Sequence, residues 1–243
     1  MPRLAAAAAG GDELVLWDPF CGSGILLLEA LGVVLGQPPG DRARRYPFAA
    51  FPCHAESEYA GFLAGLRAAP HPGLSGLTLL GTDGAGGEAE RARRNLRRFE
   101  RRLWPLRAGG GREADASADG APPAASASVL PCSVRFEEAA AAPFARGLVG
   151  RPTLVLTSLL HSAGDAAVSQ LGRLLQQRQA DWRGVFCVAS DAEDAKQQTG
   201  LEWTTELRFL NRGRWAALLQ WTGHGNRGSP AGIRPASRSW ARR

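Results

Sequence analysis

Apolar positions along the chain follow two alternating periods. Leu14-Val15-Leu16-Trp17 is a continuous apolar run that stops at Asp18 and a glycine-bearing turn. A helical apolar pattern starts near Ile25, so this stretch predicts strand, loop and helix. Leu77-Thr78-Leu79-Leu80 predicts a second buried strand, ending in Gly81-Thr82-Asp83. After it, Ala92, Leu96, Phe99 and Leu103 recur at helical spacing, with arginines on the other faces. Residues 129–134 and 153–157 read as further strands. Val168, Leu171, Leu174 and Leu175 mark another helix, and residues 185–189 the next strand. Residues 206–210 and 215–221, joined through Asn211-Arg212-Gly213, predict a hairpin. Strands alternating with helices imply an α/β domain with a mostly parallel sheet covered on both faces, and the hairpin adds one antiparallel strand.

Composition narrows the picture. With 243 residues, 44% of them apolar and 21% charged, the chain can bury a large core, which excludes wholesale disorder. The folded domain is expected over residues 12–225. Residues 108–128, rich in Ala, Gly, Ser and Pro without periodicity, read as a disordered insertion. Residues 226–243 carry arginines and no acid and read as a basic, disordered tail. The longest apolar stretch, residues 25–35, is too short to span a bilayer and contains Glu29. Arg3 and the alanines after it make a poor secretory signal. Cys21, Cys53, Cys132 and Cys187 are scattered without a C-x-x-C pair. No zinc site or disulfide framework is expected, and a reducing intracellular compartment fits. The net charge of +6 is carried almost wholly by arginine, because Lys196 is the single lysine. Guanidinium groups fork onto phosphates, so a polyanion is the expected class of partner.

The sharpest chemical feature is Asp18-Pro19-Phe20-Cys21-Gly22-Ser23-Gly24, followed by an apolar helix bearing Glu29. A carboxylate at a strand end, then small residues, lets the backbone approach a ligand at a helix N-terminus. A dehydrogenase is disfavoured, because the third glycine of the dinucleotide fingerprint is absent. The string through Glu29 resembles motif I of the THUMP-associated RNA guanine-N2 methyltransferases, the group that includes bacterial large-subunit rRNA methyltransferase K/L. Tyr46-Pro-Phe-Ala-Ala-Phe51-Pro resembles the aromatic segment this family inserts after its first helix. Gly81-Thr-Asp83 with Arg91-Ala-Arg-Arg-Asn95 resembles its acidic strand end and next helix. Leu171-Gly-Arg-Leu-Leu, Trp182-Arg-Gly and Phe209-Leu-Asn-Arg-Gly213 resemble its C-terminal third.

The resemblance implies a class-I (Rossmann-like) methyltransferase fold with a seven-stranded sheet, binding S-adenosylmethionine outside the strand ends. Asp18, Gly22 and Gly24 would surround its methionine part, and Asp83 would accept from the ribose hydroxyls. Glu137 or Glu138 stands where the family has an aspartate near the adenine. A strand-terminal carboxylate beside a glycine turn suits ribose independently of the family, although Gly-Thr-Asp-Gly is also good turn chemistry. After the fourth strand the family carries Asn-Pro-Pro-Tyr, which grips the target amine and stacks on the flipped base. This chain has Thr157-Ser158-Leu159-Leu160-His161 there, so Ser158 and His161 are the candidate stand-ins. RNA contact is expected from the arginine-dense helix, at Arg94, Arg97 and Arg98. The stretch before motif I is short, so the expectation is either that the chain is a fragment of a longer protein with a THUMP domain upstream, or that RNA capture falls to a separate domain or subunit. Two functions follow from this: an RNA methyltransferase using direct transfer, or a catalytically degenerate fold serving as an RNA-binding or ribosome-assembly scaffold.

Overall fold

In a computed structural model, which describes residues 13–37, 46–65, 70–71, 74–107, 130–160, 165–177, 182–211 and 213–221, the apolar runs become strands of one sheet. The insertion at 108–128, the tail at 226–243 and His161 lie outside the described residues. β1 (Leu14–Asp18) leads into α1 (Ile25–Val34), and α2 (Glu56–Gly65) precedes β2 (Leu77–Asp83). The arginine-dense helix is α3 (Glu88–Arg107), followed by β3 (Ser133–Glu138), the short α4 (Ala141–Ala145) and β4 (Thr153–Ser158). The chain continues through α5 (Asp165–Gln177), β5 (Trp182–Ala189), α6 (Ala192–Thr199), β6 (Thr204–Asn211) and β7 (Arg214–Trp221).

The strand order is β3-β2-β1-β4-β5-β7-β6. β1 to β5 run parallel, and β7 is antiparallel to both β5 and β6. The expected sheet, with its single antiparallel hairpin strand, is therefore the observed one. The order reverses between β1 and β4, and in open α/β sheets the crevice outside the carboxyl ends at such a reversal is where ligands bind.

The largest shift from the expected strand boundaries is at β3. The strand expected over 129–134 starts at Ser133 and runs to Glu138, with Ser133 opposite Thr78 and Glu138 opposite Asp83. Pro131 lacks an N–H and cannot extend the ladder, so Leu130 and Cys132 plug the core margin as buried non-strand residues. β2 continues through Gly81 and Thr82 to Asp83, which carries the carboxylate to the sheet rim. Three helices had no apolar stripe to reveal them. In α6 the apolar signal is a single buried alanine, Ala195, and caps define the ends: Asp191 accepts from the Asp194 N–H at 2.8 Å, and Gly200 closes the helix at φ 68°.

Each sheet face buries its own layer. Leu14, Leu16 and Leu79 pack against Leu27 and Leu31 of α1 and Ala92 of α3. On the other face Val15, Trp17 and Val155 pack against Leu171, Leu174 and Leu175 of α5. Gly172 brings α5 hard against α6, since a Cβ there would drive into the Thr199 backbone. Trp17 is fully buried, stacked 6.0 Å from Phe144 and 5.9 Å from Trp182, and its indole N–H donates to Thr82 Oγ1 at 3.0 Å. Trp17→Phe should keep most of the stacking but remove the donor to a buried hydroxyl. We expect a loss of about 1–3 kcal/mol in urea unfolding, relieved in the Trp17→Phe, Thr82→Val pair. Equal losses in the single and double variants would show that the hydrogen bond contributes nothing.

Candidate functional site

At the carboxyl ends of β1, β2 and β4 the residues Asp18 to Gly24 leave the sheet and turn into α1. Gly22 (φ 50°) and Gly24 (φ 77°) take the left-handed conformation that favours glycine. The Gly24 N–H donates to the Cys21 carbonyl at 2.8 Å. Gly24 is also the N-cap of α1, which has no side-chain cap and no acid in its first turn, so its leading N–H groups carry no side-chain partner. Beside Gly22 there is room: an added Cβ would meet only Glu88 Oε2, at 4.0 Å.

Three hydrogen bonds hold this turn against neighbouring elements. The Cys21 N–H donates to the Thr82 carbonyl at 2.9 Å, and the Gly22 N–H donates to Asp83 Oδ2 at 2.9 Å. Asn95 of α3 donates from Nδ2 to the Ser23 carbonyl at 2.9 Å. Asp83 Oδ1 accepts from the Ala85 N–H at 2.9 Å, so the turn role suggested by Gly-Thr-Asp-Gly is present. Each carboxylate oxygen keeps further acceptor capacity, because one N–H uses only one of its lone-pair directions.

Asp18 sits beneath the turn, 2% exposed, and its Oδ1 accepts from the Thr157 hydroxyl at 2.7 Å and the Phe20 N–H at 3.1 Å. Burial pushes its carboxyl up to about 7 against those two hydrogen bonds, and the neighbouring Asp83 charge adds to the rise. Burial, and then the Asp18 and Asp83 charges, raise the Cys21 thiol above its usual range. Cys21 is therefore held as a thiol and is no nucleophile. Cys187, buried near Asp18, is pushed up to about 12 by burial and then by the Asp18 charge.

The other candidate residues separate. Ser158 ends β4, half-buried, next to the Thr157 that holds Asp18. Immediately after it, the Leu159 N–H donates to the Val188 carbonyl at 2.9 Å. Strand alternation puts Glu137 on the opposite face from Asp83, in a groove with Thr78, Leu80, Arg135 and Phe144. Glu138 is the acid paired with Asp83, and its carboxylate lies 3.9 Å from where a Gly86 Cβ would stand. On α3, Arg97 is tied to Glu90 at 3.0 Å, Arg94 stands 4.0 Å from the same acid, and Arg98 is exposed. Sequence reasoning missed Thr157 and Phe136. Thr157 had a signal, a polar residue in a buried strand; Phe136 had none. Among the described residues no group of His, Cys, Asp and Glu could hold a metal ion, and no helix is long and apolar enough to cross a membrane.

No protein-family model matches the sequence, and no curated protein matches it. Solved structures do match. SMU.472, a candidate methyltransferase complexed with SAH, is 19% identical over 90% of this chain and 52% of its own, with a TM-score of 0.55. A possible methylase from Clostridium difficile 630 is 15% identical over 95% and 53%, TM-score 0.51. A predicted N6-adenine-specific DNA methylase from Listeria monocytogenes str. 4b F2365 is 15% identical over 92% and 51%, TM-score 0.51. The chain thus spans about half the length of these structures. At such identities the likeness defines architecture, and the chain has the fold of the class-I methyltransferases.

Proposed function

We propose that this chain is an S-adenosylmethionine-dependent methyltransferase acting on RNA, with an exocyclic amine such as guanine N2 as acceptor. The observation that carries the reading is the Asp18–Gly24 turn, bonded through Gly22 to Asp83 at the reversal of a methyltransferase-type sheet. Its resemblance to motif I of the THUMP-associated enzymes supplies the finer assignment. The residues present fit the cofactor: open space beside Gly22, uncapped N–H groups at the start of α1, and spare acceptor capacity on Asp83. In this reading Gly22 and Gly24 let the backbone approach the methionine part, with Asp18 beneath them, and Asp83 accepts from the ribose. Of Glu137 and Glu138, the reading takes Glu138 for the place near the adenine, because it shares the face of Asp83.

When bound, the cofactor supplies an electrophilic methyl group, and its transfer to nitrogen forms one N–C bond, breaks one S–C bond and releases one proton. Cys21, held as a thiol, offers no covalent detour, which favours direct transfer. Ser158 accepts a hydrogen bond from the amine and positions it.

Calorimetry is expected to show binding of both S-adenosylmethionine and S-adenosylhomocysteine. Gly22→Asp should abolish it by placing a third carboxylate beside Asp83 and Glu88, in space that is now open. Wild-type protein that binds neither ligand would refute the reading. In a methyl-transfer assay on total RNA, Ser158→Ala should lower turnover about tenfold or more with cofactor affinity unchanged. Full turnover in that variant would remove Ser158 from its role. One observation favours the scaffold reading: Leu159 and Leu160 stand where the family has its proline pair, and Leu159 packs into the core. Cofactor binding without any turnover would select it.

A further inference from the structure

The arginines of α3 are not equivalent. Ala92, Leu96 and Phe99 face the core. At 100° per residue, Arg94, Arg98 and Arg101 fall on one line on the opposite side of the helix. Arg93 and Arg97 lie on a flank and are engaged. The Arg93 guanidinium donates from Nε and Nη2 to the Phe136 carbonyl at 3.0 and 2.7 Å, and Arg97 bonds Glu90 at 3.0 Å. Arg91 is paired with Glu88 at 3.1 Å. The acid nearest the outer line is Glu90, one turn before Arg94. Arg93 and Arg97 approach it more closely than Arg94, and they hold its carboxyl below the usual range. Arg94, Arg98 and Arg101 are exposed, so their charge faces solvent.

We propose that Arg94, Arg98 and Arg101 form a stripe that binds the phosphodiester backbone of a single nucleic-acid strand. The stripe rises about 10 Å along the helix, so its guanidinium groups can follow successive phosphates of one strand. It deepens the proposed function by naming where the substrate backbone docks, and it replaces Arg97 with Arg101 in the set expected from sequence. The contact is to phosphate, so it reads charge and spacing rather than sequence.

The test is fluorescence anisotropy of a labelled 20-nucleotide single-stranded RNA across a salt series, with the DNA strand of the same sequence beside it. Changing all three arginines to glutamine should reduce the slope of log affinity against log salt by about 2, since each lost phosphate contact removes about 0.7 on a single strand. The loss should be equal on RNA and DNA. Changing the three to lysine should restore the slope. The triple variant Arg173→Gln, Arg183→Gln, Arg208→Gln removes the same charge from exposed positions on other elements and should change the slope by much less. Equal losses in the two glutamine triples, a loss on RNA alone, or polyglutamate competing as well as unlabelled RNA would overturn the proposal. Calorimetry with S-adenosylmethionine on the same proteins separates the two readings. Wild-type protein without cofactor binding but with the stripe-dependent slope fails the methyltransferase assignment alone; cofactor binding without that slope fails the stripe alone.

Discussion

Gly81→Val is expected to destabilise the domain by about 3 kcal/mol or more, enough to lower the melting temperature by roughly 6–12 °C in a chain of this size. A Cβ on Gly81 would lie 2.5 Å from Phe136 Cδ1 and 3.0 Å from Cys21 Cβ. The Phe136 ring is 3% exposed and has nowhere to retreat. The same ring lies 2.8 Å from where a Gly24 Cβ would stand, so one phenyl group fills a hollow made by two glycines from different elements. Two effects compete at Gly81. Its backbone is outside the left-handed region, so any side chain there narrows the unfolded ensemble and stabilises by about 0.4–1 kcal/mol. Overpacking acts in the opposite direction and is larger, so it decides the sign. Gly81→Ala in a Phe136→Leu background isolates the steric part, because the smaller side chain opens the hollow. We expect at least ~1 kcal/mol of coupling between the two positions. Identical losses from Gly81→Ala with and without the ring would show that the ring is not the obstacle. At Gly24 the relief should be incomplete, since its φ of 77° penalises any side chain whatever the space.

Asp18→Asn should stabilise the protein above neutral pH and make little difference near pH 4. The folded protein holds the Asp18 proton up to about 7, against 3.8 for the free side chain, chiefly through burial. Between those values the folded state binds more protons than the unfolded state, so this group's contribution to stability falls as pH rises through the window and levels off above about 7. The whole effect is on the order of 4 kcal/mol, at 1.36 kcal/mol for each unit of pH. Asparagine stays neutral throughout and keeps an oxygen to accept from Thr157 and the Phe20 N–H, so the slope disappears. The check is urea unfolding of both proteins at several pH values. A stability difference that does not change with pH would mean that Asp18 ionises as freely in the folded protein as in the unfolded one. Under the proposed function the same variant should bind S-adenosylmethionine less well, because a carboxylate beneath the turn attracts a cationic ligand and an amide does not. Stability gained with affinity lost would mark Asp18 as a residue kept for binding at the expense of the fold.

Much of the architecture was written in local patterns. The runs at Leu14-Val15-Leu16-Trp17 and Leu77-Thr78-Leu79-Leu80, and the 3.6-residue period of Ala92, Leu96 and Phe99, are burial signals that neighbours in sequence supply for themselves. Asp18-Pro19-Phe20-Cys21-Gly22-Ser23-Gly24 likewise declared a strand–turn–helix junction, because left-handed glycines and a strand-end carboxylate are requirements of the local backbone. What the chain alone left open depended on partners distant in sequence. Thr157 became the ligand of Asp18, and Phe136 the filler under Gly24 and Gly81, only when parallel pairing set β4 and β3 beside β1 and β2. The same register set Glu138, and not Glu137, on the face of Asp83, since a shift of one residue turns a side chain to the other face of a sheet. On α3 the composition showed an excess of arginine, and folding divided it: Arg93 and Arg97 went to the Phe136 carbonyl and Glu90, leaving Arg94, Arg98 and Arg101 to solvent. Periodicity is a property of a segment and can be read from it; which charge is neutralised, and which carboxylate is buried, are properties of pairs that exist only after the sheet has assembled.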